Sequence, residues 1–191
     1  MFSMLMLPRR YDEHGRDASC RVRRWSAFVV ILILFGGCSS KSHTSQQGSD
    51  SSFQQLAPGD PVREEVLKEL TDYYEHFSQR DWQKFSDHFW PGATITTVWQ
   101  PPGEPAARVV VTSIPDFVKQ APQGPGSKPI FEERMLRGEV RAFGNLAHVW
   151  AHYNARFGDP EKVDEWTGFD AFTLMKHDGR WKIVALGFTG E

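Results

Sequence analysis

From Ile130 to Phe188 the chain is four strand-like segments separated by little more than turns: 130–143, 146–157, 165–177 and 181–188. Asp178-Gly179 between the last two is a strong hairpin signal, because the tightest hairpin turns need positive φ at both central residues. Connections this short join antiparallel neighbours, since a parallel pair needs a crossover of a dozen residues or more. Upstream, the pattern is helical. Asp60-Pro61 offers an N-cap and a proline at the first helical position, with Glu64 and Glu65 in the first turn. Val66, Leu70, Tyr73 and Phe77 then recur at spacings of four, three and four, one apolar face of a helix running to about Ser78. Asp81 can cap a second, shorter helix bearing Trp82, Phe85 and Phe89, with Pro91-Gly92 ending it. Residues 93–100 are β-branched and alternating, hence a strand. Pro101-Pro102-Gly103 breaks the chain, 114–120 reads as a third short helix through Ile114, Phe117 and Val118, and 121–129 reads as a loop. Helices first and antiparallel strands after predict an α+β domain with the helices on one sheet face.

That domain is expected over 60–191. Residues 39–59 are rich in Ser, Gln and Gly and nearly without apolar side chains, so they cannot bury a core and read as a flexible tether. Before the tether, 27–35 is an uninterrupted apolar run preceded by Arg21, Arg23 and Arg24 and followed by Gly36-Gly37. Nine residues are too few to cross a bilayer as a helix, which takes about 20. Basic flank, short apolar core and small-residue exit form the pattern of a secretory signal. With Cys38 directly after the glycines, the segment resembles a bacterial lipoprotein signal, which implies lipid attachment at Cys38 and a membrane anchor. One feature departs from that pattern: Leu34 lies one place further from the cysteine than usual, and Phe35 takes its position. Ser39 after the cysteine then implies the outer membrane, facing the periplasm. Asp12, Glu13 and Asp17 are foreign to the basic start of such a signal, so translation is expected to begin near Val22, with 1–21 an extension upstream.

Residues 1–37 carry six Arg against three acids, whereas 38–191 carry 16 Lys+Arg against 21 Asp+Glu. An acidic body without a basic cluster argues against nucleic-acid binding, which depends on neutralising phosphates. Cys20 and Cys38 both precede the body, which therefore holds no disulfide, cysteine-rich zinc site or cysteine nucleophile. His148 and His152 are four apart on a strand, about 13 Å at ~3.3 Å per residue, too far to chelate one ion. No metal or cofactor is expected. Asp72 and His76 read as a solvated i, i+4 pair, and His88 and His177 as surface residues. Between Pro61 and Glu191 there are six Trp, ten Phe and three Tyr. Most must fill a small core, but the number also suits a ligand cavity lined by aromatic side chains.

Two stretches carry a family resemblance. One runs from Leu67 to Trp99, with Tyr73-Tyr74, Gln79-Arg80-Asp81-Trp82, Phe89 and Ala93-Thr94-Ile95. The other runs from Asp170 through Phe172, Asp178-Gly179 and Trp181 to Val184. Together they resemble the nuclear transport factor 2-like superfamily, in its SnoaL-like and ketosteroid-isomerase-like branch. The resemblance implies a helix-capped cone: about three helices on a strongly curved antiparallel sheet around a hydrophobic cavity. It places the isomerase's donor Tyr on Tyr73 and its donor Asp on Asp170, but puts Thr97 where the base belongs. A threonine cannot take a carbon-bound proton at neutral pH, so steroid isomerisation is not expected. Trp99, Tyr153 and Phe172 join Tyr73, Thr97 and Asp170 as expected cavity residues. In the same register Ala147, Val149, Ala151 and Tyr153 face the cavity. His148, Trp150, His152, Asn154 and Arg156 face outward, and His148, Trp150 and His152 are the candidate dimer interface.

Three functions fit. The first is a lipid-anchored extracytoplasmic domain binding a small apolar molecule or a partner peptide. The second is a pocket enzyme polarising a carbonyl with Tyr73 and Asp170. The third is an envelope assembly protein docking through its sheet face. The missing base favours the first.

Overall fold

A computed structural model describes residues 55–100 and 103–190. The expected signal, Cys38 and most of the tether lie outside the described residues. Helix α1 spans Pro61–Ser78, and the Asp60 carboxylate accepts from Val62 N (2.8 Å) and Arg63 N (3.2 Å), satisfying amides the helix itself leaves unpaired. Its buried face is Val66, Leu70, Tyr73 and Phe77 as the spacing predicts, with Tyr74 buried beside them. Residue 56, before the expected start at 60, also contacts the sheet. Leu56 N donates to Val140 O (2.8 Å), and its side chain packs on the core.

Arg80 takes positive φ (58°) between α1 and α2 (Trp82–Asp87). Its guanidinium donates to the carbonyls of Pro125, Lys128 and Pro129 and lies 5.9 Å from the Phe131 ring, so one side chain secures the 125–129 loop. Asp81 caps α2 through Lys84 N at 3.1 Å.

Strand β1 (Phe89–Trp99) begins earlier than expected. Pro91-Gly92, read from sequence as a terminator, lies within it. The β1 register shifts between Phe89 and Thr94, and Gly92 has φ +87°, a bulge that accommodates a proline without a ladder hydrogen bond. A strand the sequence reading does not foresee, β2 (Arg108–Ser113), pairs with β1 at the sheet edge. Helix α3 (Ile114–Gln120) and a 3₁₀ turn (Ala121–Gln123) follow, then β3 (Ile130–Phe143), β4 (Leu146–Asp159), β5 (Lys162–His177) and β6 (Arg180–Gly190). Asp178 (φ 50°) and Gly179 (φ 76°) form the anticipated turn.

The sheet order is β2-β1-β6-β5-β4-β3. All neighbours are antiparallel except β1 and β6, which run parallel. Further register shifts at Met135/Arg137 and Thr173/Leu174 bend the long strands. Helix α1 packs into the resulting curve. Ser78 Oγ donates to Glu133 O and accepts from Glu133 N, both at 2.8 Å. Gly138 lets the helix come close, because a Cβ there would meet Leu67 Cδ2 at 2.7 Å.

Two histidine expectations change. His88 is buried, not on the surface: its Nδ1 lies 2.7 Å from Glu69 Oε1 and its Nε2 lies 2.8 Å from His76 Nδ1. Asp72 pairs with Lys68 (2.6 Å) rather than with His76. Asn154 is on the outward register but buried, donating to Glu165 Oε1 (3.0 Å) and to the Trp166 carbonyl (3.2 Å).

Candidate functional site

Strand pairing fixes which side chains share the inner face. One row crosses the sheet through Thr97, Phe188, Asp170 and Ala151. The next holds Gly190, Gly168, Tyr153 and Met135, and a third holds Trp166, Ala155 and Glu133. Side chains on one face of paired strands stand next to each other. The inner face therefore places two carboxyl groups, those of Asp170 and Glu133, on either side of the Tyr153 row.

At the narrow end the face is filled. Tyr73 (2% exposed) lies in a cluster of rings, with Tyr74, Phe77, Phe85, Phe89 and Phe172 at centroid distances of 5.0 to 5.9 Å. It is core, and the hydroxyl reaching Asp170 belongs to its neighbour. Tyr74 Oη donates to Asp170 Oδ2. The pairing of Tyr73 with Asp170 expected from the resemblance is thus corrected by one residue, about 100° around the helix.

Asp170 is buried, and burial pushes its carboxyl up to about 7, against the smaller opposing effect of the Tyr74 hydrogen bond. Glu133 is raised well above the usual carboxylate range, first by burial and then by the charge of Asp170. Both tyrosine hydroxyls are raised as well, by burial and next by Asp170, so each remains a proton donor at neutral pH.

Glu133 is half-buried. Other inner-face residues, Thr97, Trp99, Met135, Trp166 and Phe188, are likewise only half-buried. Thr97 Oγ1 donates to the Phe188 carbonyl (2.9 Å), a structural bond between the parallel strands. Tyr153 Oη donates to Thr189 O (3.3 Å). Its ring leans across Gly168, where a Cβ would sit 2.5 Å from that hydroxyl. Phe172 is 1% exposed and lies under the Tyr73 and Tyr74 rings.

His148, Trp150 and His152 stand on the outer face as expected. Trp150 is 53% exposed, and the Phe169 ring stacks between Trp150 (5.7 Å) and His152 (4.9 Å). A shallow recess of about 430 Å³ opens there, between Glu139 and Arg141 of β3, His148 and Trp150 of β4, and Ala171 and Thr173 of β5. Its polar side chains are solvated and hold no buried charge. The chemistry lies on the other face, and we place the site there. Among the described residues no group of three or more His, Cys, Asp or Glu could hold a metal ion.

Sequence reasoning missed Glu133 and Tyr74. Glu133 was legible in the alternation Phe131-Glu133-Met135, which puts an acid between two inward apolar residues.

Residues 61–189 match the family described as "Putative lumazine-binding". The chain belongs to that family. No curated protein matches it. Among solved structures, this lumazine-binding family member is similar to a nuclear transport factor 2-like superfamily protein from Salmonella enterica serovar Typhimurium, at 14% identity and TM-score 0.53, over 68% of this chain and 90% of that one. It is also similar to a protein of unknown function with a cystatin-like fold from Nostoc punctiforme, at 8% identity and TM-score 0.55, over 72% and 96%. Such likeness concerns fold alone, and the fold is the nuclear transport factor 2-like cone that the sequence resemblance implied.

The corrected pairing has a direct test. Tyr74→Phe should raise the Asp170 carboxyl midpoint above about 7, because the removed hydrogen bond holds it down. Tyr73→Phe should leave it in place. Side-chain carboxyl titration by NMR reads both, and equal responses to the two substitutions would contradict the assignment.

Proposed function

We propose that the chain is a lipid-anchored extracytoplasmic domain that binds a small molecule inside the cone. Trp99, Trp166, Tyr153 and Phe188 would enclose its apolar body, and Asp170 and Glu133 would meet its polar end. The observation that carries this reading is the placement of two acids, Asp170 and Glu133, on the inner face that also carries the half-buried Trp99, Trp166 and Phe188. Membership of a family described as lumazine-binding supports a flat heterocyclic ligand. With lumazine as the probe and indole N–H signals assigned by Trp→Phe variants, the Trp99 and Trp166 signals should shift saturably while Trp150 stays fixed. Shifts confined to Trp150 would move the site to the outer face and end this reading.

A second reading, a pocket enzyme acting on a carbonyl substrate, is favoured by one observation. Asp170, brought to about 7 beside a tyrosine donor, has the proton affinity that acid–base catalysis uses near neutral pH. Thr97 still supplies no base, so binding is the better-supported function.

We place contact with a second copy of the chain on the outer face, at His148, Trp150 and His152. The anchor is Cys38, in the outer membrane facing the periplasm. Palmitate should label the wild type and not Cys38→Ala, and equal labelling of the two would remove the anchor.

A further inference from the structure

Glu133 and Asp170 share an inner face on which the strand lysine Lys176 is paired with Glu65 of α1. Every ion pair of a lysine or arginine among the described residues is with another acid, and neither Asp170 nor Glu133 takes part in one. No cation acts to lower either group. Asp170 has the Tyr74 hydroxyl, whereas no hydrogen-bond donor among the described residues reaches the Glu133 carboxyl. Two acids on one face that disfavour each other's ionisation are costly unless a positive charge joins them. Nothing in the packing requires this. Glu133 follows Phe131 on the inward register, where an apolar residue would complete the face.

The walls around these acids are aromatic. Trp99, Trp166, Tyr153 and Phe188 share the inner face with them, and the faces of such rings attract cations, most strongly where water is excluded. Acids without an ion-pair partner and half-buried indole and phenyl rings on one face have one ligand chemistry in common.

We propose that the molecule held inside the cone is an organic cation, a protonated amine or amidine on an apolar or aromatic body. The proposal rests on the pocket reading above and adds the ligand's charge. The ammonium or amidinium group would donate to Glu133 and Asp170, and Tyr74 would keep the far Asp170 oxygen satisfied. Binding then converts two acids that hold their protons into two carboxylates around a positive charge. A neutral carbonyl ligand would use the same acids the other way, as donors that must stay protonated. The two cases have opposite proton linkage, and pH separates them.

The test is calorimetric titration of the full chain with tryptamine and with its neutral isostere 3-ethylindole. Tryptamine should bind about tenfold more tightly or better, the scale of a charge-assisted hydrogen bond. Its affinity should rise between about pH 6 and about pH 8, across the Asp170 midpoint near 7, with proton release seen in buffers of different ionisation heat. Glu133→Gln and Asp170→Asn should each remove most of tryptamine's advantage over 3-ethylindole. Equal affinity for the two probes, or tryptamine binding that weakens as pH rises, overturns the proposal. So does lumazine binding without tryptamine binding. In each of these cases the Trp99 and Trp166 shifts judge the pocket on their own, so loss of the charge class and loss of the pocket give different results.

Discussion

Phe85→Ala should destabilise the domain by about 3–5 kcal/mol, the range for emptying a buried aromatic position. Phe85 is 0% exposed, and five rings surround it: Phe77 at 5.0 Å, Phe89 at 5.1 Å, Phe117 at 5.5 Å, Tyr73 at 5.6 Å and Trp82 at 5.9 Å. They come from α1, α2, α3 and β1, so relaxation of any one element cannot refill the space. The void would sit where the helical layer meets the sheet, and partial collapse sets where in the range the loss falls. Urea unfolding at equilibrium measures it, as a lower midpoint at unchanged slope. A loss under about 1 kcal/mol would show that the ring cluster is not the centre of the core.

Asp170→Asn should stabilise the domain at about pH 8 by roughly 2–4 kcal/mol and leave it unchanged below about pH 4. Between the ordinary 3.8 and the folded value near 7, the native state holds a proton that the unfolded chain has released. Stability of the wild type therefore falls as pH rises through that window and levels off above it, where the cost of the buried carboxylate is complete. Asparagine is neutral throughout and its carbonyl can still accept from Tyr74. Glu133 acts with the same sign, since its carboxyl is also raised, so the wild type should be more stable near pH 5 than near pH 8. Chemical unfolding at the two pH values checks both statements. A wild type more stable at the higher pH would mean that these acids are ionised and paired in the native state.

Much of the architecture was legible because burial and sequence period agree. Asp60, Pro61 and the Val66-Leu70-Tyr73-Phe77 stripe mark α1, and the alternation of Ala147, Val149, Ala151 and Tyr153 fixes the inward face of β4. Strand β2 escaped because it is an edge: Val109 and Val111 are each 61% exposed, so its apolar residues do not report an inward face. Pro91-Gly92 misled because a bulge and a terminator share composition. At the site, Tyr73 and Tyr74 are both 2% exposed, since α1 meets rings on one side and β5 on the other. Helical spacing alone cannot say which hydroxyl reaches Asp170. Glu133 was passed over because acids usually face solvent, although the alternation Phe131-Glu133-Met135 places it inward.

The parallel pairing of β1 with β6 governs the order in which the cone can be completed. Thr97 and Phe188, joined by hydroxyl and carbonyl, are 91 positions apart. The pair cannot form until the last strand is synthesised, and contacts so distant in sequence slow the search for the native state. Until then the hydrophobic interior has no closed wall on that side.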